Sequence, residues 1–159
     1  MKKIKLTESD LYNIIERVLL EQEENNKRVW NTTPERFIMV LNNVFNGNSE
    51  MFRKILNKKY DNIIINEDLD LSESRIKTLP DNLKVKGYLN LNYTKIESLP
   101  DNLHVEGNLY LAFTRIYSLP DNLRVGGKIY IHGTLLVRNS DLVAEYRNKH
   151  KIEGYFWSS

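Results

Sequence analysis

The fold this sequence predicts is an α+β solenoid. Twenty-residue coils with parallel strands stack between a helical hairpin on the N-terminal side and a helix on the C-terminal side. Three observations predict it. The phrase "SLPDNL" at 98–103 returns at 118–123, and "TLPDNL" runs from Thr78 to Leu83. After each copy the apolar residues alternate: Leu83, Val85, Leu89, Leu91, then Leu103, Val105, Leu109, Leu111, then Leu123, Val125, Ile129, Ile131. Helix-period segments with their own start signals flank the repeats on both sides.

Residues 1–22 read as a tethered amphipathic helix. Thr7, with Asp10 three residues on, is an acidic form of the capping box, and Leu6 and Leu11 stand at the staple positions. Leu11, Ile14, Ile15, Val18 and Leu19 lie on one side and form a candidate partner-binding stripe. Such a stripe folds back on its own domain, self-associates or enters a groove on another protein. The polar run "EQEENNKR" makes residues 23–32 a linker.

Residues 33–61 read as two helices that shield the first coil. Thr33 can N-cap and Pro34 sits at the first helical position, with Phe37, Val40, Leu41, Val44 and Phe45 on one face. Gly47 can end that helix in a left-handed conformation. A second helix from about Ser49 to Tyr60 buries Met51, Phe52, Ile55 and Leu56.

Residues 62–139 hold the repeats. "NIIINEDLDLSESRI" is a degraded first copy, with Ile63, Ile65, Leu69, Leu71, Ser74 and Ile76 in the repeat's slots. Alternation at period two is a strand with one face inward. Thr94, Thr114 and Thr134 follow at a turn, where their hydroxyls are expected to form a ladder between coils. Pro100 cannot donate to a strand ladder and marks the return side. Asp101-Asn102 is turn chemistry, and the column Asp81, Asp101, Asp121 is expected to accept backbone hydrogen bonds there. About six inward side chains per coil gain roughly 1.5–3 kcal/mol each. Ordering about twenty backbones costs roughly 1–2 kcal/mol apiece. One coil cannot fold alone, so neighbours must stack and the ends must be covered.

Residues 140–159 close the chain. Ser140 can cap the helix "DLVAEYRNKH", with Leu142, Val143 and Tyr146 toward the last coil. Ile152, Tyr155, Phe156 and Trp157 then either seal the C-terminal edge or form a docking peptide.

Composition narrows the function. A chain of 159 residues fits one domain with a small appendage. The mean hydropathy is −0.50, and no apolar run approaches the roughly 20 residues of a membrane span, so no membrane partner is expected. The basic start acquires Glu8, Asp10 and Glu16 too early for a secretory signal. Without cysteine there is no disulfide, thiolate nucleophile or zinc–cysteine site, which fits a reducing cytoplasm. The net charge is +2, and basic and acidic residues number eleven and nine in 1–61, nine and nine in 62–139, and three and three in 140–159. No concentrated basic block stands out, so no nucleic acid is expected.

No catalytic constellation emerges, and no cofactor or metal is implied. Shifted by one period, His132 falls at the slot of Ala112, eight places from His104. Over an extended strand that is more than about 25 Å, too far to share a metal. There is no phosphate-cradling glycine loop.

The pattern "LPDNLxVxGxLxLxxTxI" resembles the leucine-rich repeat family, and most of all its short bacterial variety. The resemblance covers about residues 62–139 and implies a right-handed coil stack. It also makes the hairpin at 33–61 similar to the N-terminal cap of bacterial leucine-rich-repeat effectors. Thr stands where the family usually has Asn, and the extra Val-x-Gly implies either a longer strand or a second short one. Some of those effectors carry a cysteine-dependent ubiquitin ligase, whose nucleophile this chain lacks.

"KLTESDLYNIIERVLLE" resembles N-terminal segments of otherwise unrelated proteins in large tailed bacteriophages. In some of these a short helix directs cargo into the assembling head, where a protease cuts after Leu/Ile-x-Glu. Leu19-Leu20-Glu21 fits that triplet and would leave Gln22 as the new N-terminus; Ile14-Ile15-Glu16 fits it too. The resemblance implies phage head proteins as partners, and the host cytoplasm or the virion as location.

The outward strand positions remain as the candidate surface for a protein partner. Its columns read Asp68, Tyr88, Asn108, Lys128; then Asp70, Asn90, Tyr110, Tyr130; then Ser72, Asn92, Ala112, His132. Tyr88, Asn90, Asn108, Tyr110, Lys128, Tyr130 and His132 are the candidate binding residues, since Tyr and Asn offer area and hydrogen bonds at modest entropic cost. An ordinary solvated sheet face is the alternative. Four strands about 25 Å long give on the order of 500 Å², below the roughly 800 Å² per partner of a standard interface. The expected job is non-catalytic protein binding, by a phage protein or by a bacterial effector or regulator.

Overall fold

A computed structural model describes residues 29–45, 48–150 and 152–153, with Thr7, Ser9, Asp10 and Asn13 ahead of them. The alternation of each repeat becomes two short strands rather than one long one. β1 is Val29–Thr32, β2 Asn62–Ile65, β3 Leu69–Asp70, β4 Leu83–Val85 and β5 Leu89–Asn90. β6 is His104–Val105, β7 Leu109–Tyr110, β8 Arg124–Val125, β9 Ile129–Tyr130 and β10 Ile152–Glu153. They form two five-stranded parallel sheets, ordered β1-β2-β4-β6-β8 and β10-β9-β7-β5-β3. Leu69, Leu89, Leu109 and Ile129 stand in register, so the chain advances one strand per twenty residues through about three turns of a parallel β-solenoid.

The bend between the sheets sits at the glycines. A Cβ on Gly107 would lie 2.9 Å from the carbonyl carbon and oxygen of Gly87 and from the Tyr88 nitrogen. Coils approach so closely there that no side chain fits between them. The Gly107 N–H still donates to the Gly87 carbonyl at 3.0 Å, which carries the ladder around the corner. Of the two open readings of the Val-x-Gly insertion, the second short strand is the one found.

Past the corner, N–H groups of Leu89, Leu91 and Tyr93 bond to carbonyls of Asn108, Tyr110 and Ala112 at 2.9 Å. The pairing therefore runs five residues per coil, about 16 Å, rather than 25 Å. The metal-excluding distance between the His104 and His132 slots loses its straight-strand premise for the same reason. Among the described residues, no three His, Cys, Asp or Glu side chains are grouped to hold a metal ion.

The inward side chains form one cluster from Ile63 to Leu136, with Leu83, Val85, Leu89, Leu91, Leu103, Val105, Leu109 and Leu111 fully buried. Thr94, Thr114 and Thr134 are buried too, but they do not bridge coils. Each hydroxyl donates to the carbonyl three residues back in its own coil, to Leu91, Leu111 and Ile131 at 2.7–2.8 Å. Ser74 does the same to Leu71. The short side chain reaches only its own turn, where the N–H of residue 94, 114 or 134 already points at the same carbonyl.

On the return side, coils are joined by asparagine. The Asn102 amide donates to the Asn82 Oδ1 at 2.9 Å, and the Asn122 amide to Asn102 Oδ1 at 3.1 Å. Asn82 and Asn102 hold φ +55°, the left-handed region Asn tolerates. The aspartates beside them do not behave as expected. Asp81 receives Arg53 and Asn57 side chains as well as donating its own N–H to Asn57, and Asp121 faces Lys149 at 3.8 Å.

Helix α1 (Pro34–Met39) starts at Thr33, whose hydroxyl accepts from the Arg36 N–H, and continues into a π-helical turn at Val40–Val44. Helix α2 (Ser49–Lys59) is capped by Asn48. Their buried faces set Phe37 and Phe45 each edge to face with Phe52, and Trp30 stacks on Phe37. Residues 29–32 leave the expected linker: Trp30 and Thr32 are buried and β1 pairs with β2 in parallel. The alternating Val29-Trp30-Asn31-Thr32 supplied a strand pattern too short to separate from the polar run before it.

After Leu136–Arg138, a 3-10 turn, helix α3 (Ser140–Lys149) is capped by Asn139 rather than Ser140, its Oδ1 accepting from the Leu142 N–H. Val143 and Tyr146 are buried against the last coil, and the Tyr146 hydroxyl both accepts from the Leu119 N–H and donates to its carbonyl. β10 then pairs with β9. Tyr155, Phe156 and Trp157 lie outside the described residues, as does Gly47. Among the described residues no helix is long and apolar enough to cross a membrane.

Candidate binding surface

Side chains alternate along β3, β5, β7 and β9, so what is not core is presented outward. Tyr88, Tyr110 and Tyr130 take outward positions and are half-buried because they cover one another. Tyr110 and Tyr130, in the same slot of adjacent coils, stack at 4.8 Å with planes 6° apart. Tyr88 meets Tyr110 diagonally, edge to face, at 5.9 Å.

The asparagines in these columns serve the stack first. Asn108 Oδ1 accepts the Lys128 N–H at 2.9 Å, and its amide donates to the Tyr110 hydroxyl at 3.1 Å. Asn90 Oδ1 accepts the Asn92 N–H, and its amide reaches Asp70 at 3.2 Å. Asn92 and Asp68 accept the N–H of the residue twenty positions on, Ala112 and Tyr88. Lys128 is exposed, and His132 sets the Phe113 ring edge to face at 5.1 Å.

Two residues of this surface escaped the sequence reading. Tyr93 and Phe113 are 58% and 47% exposed, and their rings stack at 4.9 Å and 11°. They occupy the corner slot Glu73, Tyr93, Phe113, Gly133, whose φ values are 58°, 59°, 57° and 69°. A left-handed backbone costs a residue with a Cβ roughly 1–2 kcal/mol. Exposed rings at such a corner recover little of that by burial. The sequence did carry a signal: Gly133 fills this slot in the last repeat, and a glycine there marks positive φ. The Phe113 ring lies over that glycine, where a Cβ would come within 2.6 Å of it.

The result is a shallow surface with stacked pairs on two sides. Tyr110 and Tyr130 stand on one side of Ala112, and Tyr93 and Phe113 on the other, with His132 beyond. The first repeat contributes the acids. For Asp70, burial pushes the carboxyl pKa up, but hydrogen bonds from Ser72 and Asn90 outweigh it and hold the group below its ordinary value. Burial, then the charges of Asp68 and Asp70 and the neighbouring Tyr110, raise the Tyr88 phenol. The five-residue ladder over the coils gives on the order of 300 Å², smaller than the straight-strand figure.

Ahead of the domain, Thr7 and Asp10 form the expected reciprocal cap: the Thr7 N–H and hydroxyl donate to Asp10 Oδ2, and the Asp10 N–H donates to the Thr7 Oγ1 at 3.1 Å. Those bonds hold the Asp10 carboxyl below its ordinary pKa. Leu11, Ile14, Ile15, Val18, Leu19, Glu21 and Gln22 lie outside the described residues. No family model, no curated protein and no solved structure matches this chain.

Proposed function

We propose that this chain is a non-catalytic protein-binding module whose outward face takes a peptide or a loop of a partner. The observation that carries the reading is the exposed Tyr93–Phe113 stack on a left-handed corner. The left-handed corner recurs in every repeat and donates its N–H to the next coil. Stacking therefore accounts for the backbone there, but not for exposed aromatic rings in place of the glycine that fits it without strain, and such outliers concentrate at functional surfaces. Tyr110, Tyr130 and His132 extend the aromatic area, while Asn90 and Asn108 act mainly by holding it. In this reading the coils are leucine-rich repeats of the short bacterial type in a right-handed stack, α1 and α2 cap one end, and α3 with β10 caps the other.

The test is photo-crosslinking in the native host with benzoylphenylalanine at position 110. A discrete protein adduct is expected, lost in Tyr93→Gly/Phe113→Gly. Adducts that persist at full yield in that variant sink the proposal.

A second element concerns where the module acts. The reciprocal Thr7–Asp10 cap starts a helix where the phage-like segment has one. We read residues 1–21 as an address for the phage head, cut after Glu21. Fused to an unrelated fluorescent protein, residues 1–22 should carry it into particles, and Ile15→Asp should abolish transfer because a groove would have to desolvate a carboxylate. Equal packaging of both fusions would reject this address and leave an effector or regulator of a bacterial partner as the reading.

A further inference from the structure

The return side carries a feature that the strand face does not explain. An open groove of about 810 Å³ runs between α2 and the return segments of three successive repeats. Its lining is lopsided in charge: Arg53 and Lys54 from α2, with Lys77, Lys95 and Arg115 from the returns, against Glu50 and Glu97. Some of these cations are committed. Arg53 reaches both oxygens of Asp81 at 3.2 Å. Arg115 faces Glu97 at 3.5 Å with both side chains about two-thirds exposed, an arrangement worth little in water. Lys77 and Lys95 are exposed and form no ion pair among the described residues.

Stacking does not ask for this arrangement. Arg75, Lys95 and Arg115 share one slot of the repeat, and the N–H groups of Lys95 and Arg115 bond to the carbonyls of Ile76 and Ile96 in the preceding coil. Adjacent coils are about 4.8 Å apart, so like charges stand directly opposite one another, which destabilises a sheet. An anion lying along the groove would relieve that repulsion.

We propose that this groove docks an acidic peptide segment of a partner protein. Charge complementarity selects the sign. Length selects the size: α2 lines the groove from Glu50 to Asn57, about 10 Å at 1.5 Å per residue, which matches three or four extended residues. Thr78 and Ser98, in equivalent slots of adjacent repeats, and Asn57 supply groups for a peptide backbone. Glu50 and Glu97 argue against a phosphate backbone, which brings a negative charge to every step, whereas a peptide can place its carboxylates between them. The net charge of +2 also provides no long-range field for nucleic acid.

The experiment is fluorescence anisotropy of the full chain with a labelled peptide of alternating Glu and Ser, beside a Gln/Ser peptide and a labelled oligo-dT. The Glu/Ser peptide should bind at low salt and be released as salt rises, and the Gln/Ser peptide should not bind. Lys77→Glu/Lys95→Glu should weaken binding at least about tenfold, with an unchanged urea unfolding curve, and Lys77→Gln/Lys95→Gln should fall between. Tyr110→Ala should leave this binding as it is, which separates the groove from the strand face. Absence of Glu/Ser binding, equal binding by the charge-reversed chain, or tighter binding of oligo-dT would overturn the proposal.

Discussion

The inward and outward columns of the same strands follow different rules. Inside, each slot keeps nearly one shape: Leu89, Leu109 and Ile129 are fully buried, and so, with hydroxyls turned to their own coil, are the threonines. Outside, the slot of Tyr88 holds Asn108 and Lys128 in the next two repeats. An inward residue packs against its own copy in the next coil, so a change of shape in one repeat is felt in two. An outward residue meets water. Yet the outward columns divide again. Asp68, Asn92 and Asn108 accept an N–H from the next coil through their side chains and belong to the stack, while the Tyr93 and Phe113 side chains make ring contacts only, with each other and with His132. What separates the outward residues that serve the stack from those that do not is the hydrogen-bond partner, not polarity.

The hardest way to break this contrast is from inside. Leu109→Ala should cost about 2–5 kcal/mol in urea unfolding, since Leu109 is fully buried with Leu89 and Ile129 on either side. A cost under about half a kilocalorie would mean the inward columns tolerate change as the outward ones do. Gly107→Ala comes next, at about 1–3 kcal/mol, the range for overpacking. The new methyl would meet backbone of the neighbouring coil rather than a side chain that can swing away.

These two sites also mark how far the sequence could be read. The inward set, the twenty-residue step and the helix starts at Thr33 and Thr7 were legible because periodicity and caps are local signals. The two-strand bend was half legible: Gly87, Gly107 and Gly127 stood in one column, but only the coil-to-coil distance shows why. Three other things were not legible. The threonine hydroxyls have two candidate acceptors, and the turn geometry chooses the nearer. The aspartate column meets α2 at Asp81 and α3 at Asp121, and neither contact is local in sequence. Of the candidate site, the tyrosines were found by alternation, while Tyr93 and Phe113 sit on a corner where alternation stops.

The outward columns should themselves split under mutation. Asn108→Ala removes the acceptor of the Lys128 N–H and should cost about 0.5–1.5 kcal/mol, the net worth of one hydrogen bond. Tyr93→Gly should shift stability by less than about 1 kcal/mol in either direction, because relief of the left-handed corner offsets the lost stack and the freer unfolded chain. The same variant should lose the crosslinked partner. If Tyr93→Gly proved the more damaging of the two, the exposed stack would be a structural element, and its claim to recognition would fall.

The smallest effect is electrostatic and tests whether an exposed outward residue can still belong to the stack. Asp70 is exposed, yet its Oδ1 takes the Ser72 N–H at 2.9 Å and its Oδ2 the Asn90 amide at 3.2 Å. These bonds favour the charged form and hold the folded pKa below the ordinary 3.8. The unfolded chain therefore binds a proton at a pH where the folded chain does not. The stabilisation is fully present above 3.8 and is lost as pH falls through the lower folded value. Glu106 titrates with the same sign, since its hydrogen bond with Lys84 lowers it, so only a difference between chains isolates Asp70. Asp70→Asn keeps an acceptor for Ser72 and removes the charge. Its urea midpoint should fall less steeply than that of the parent chain on going from about pH 5 to about pH 3. Parallel curves would show that solvent screens Asp70 completely, and would take Asp70 out of the stack.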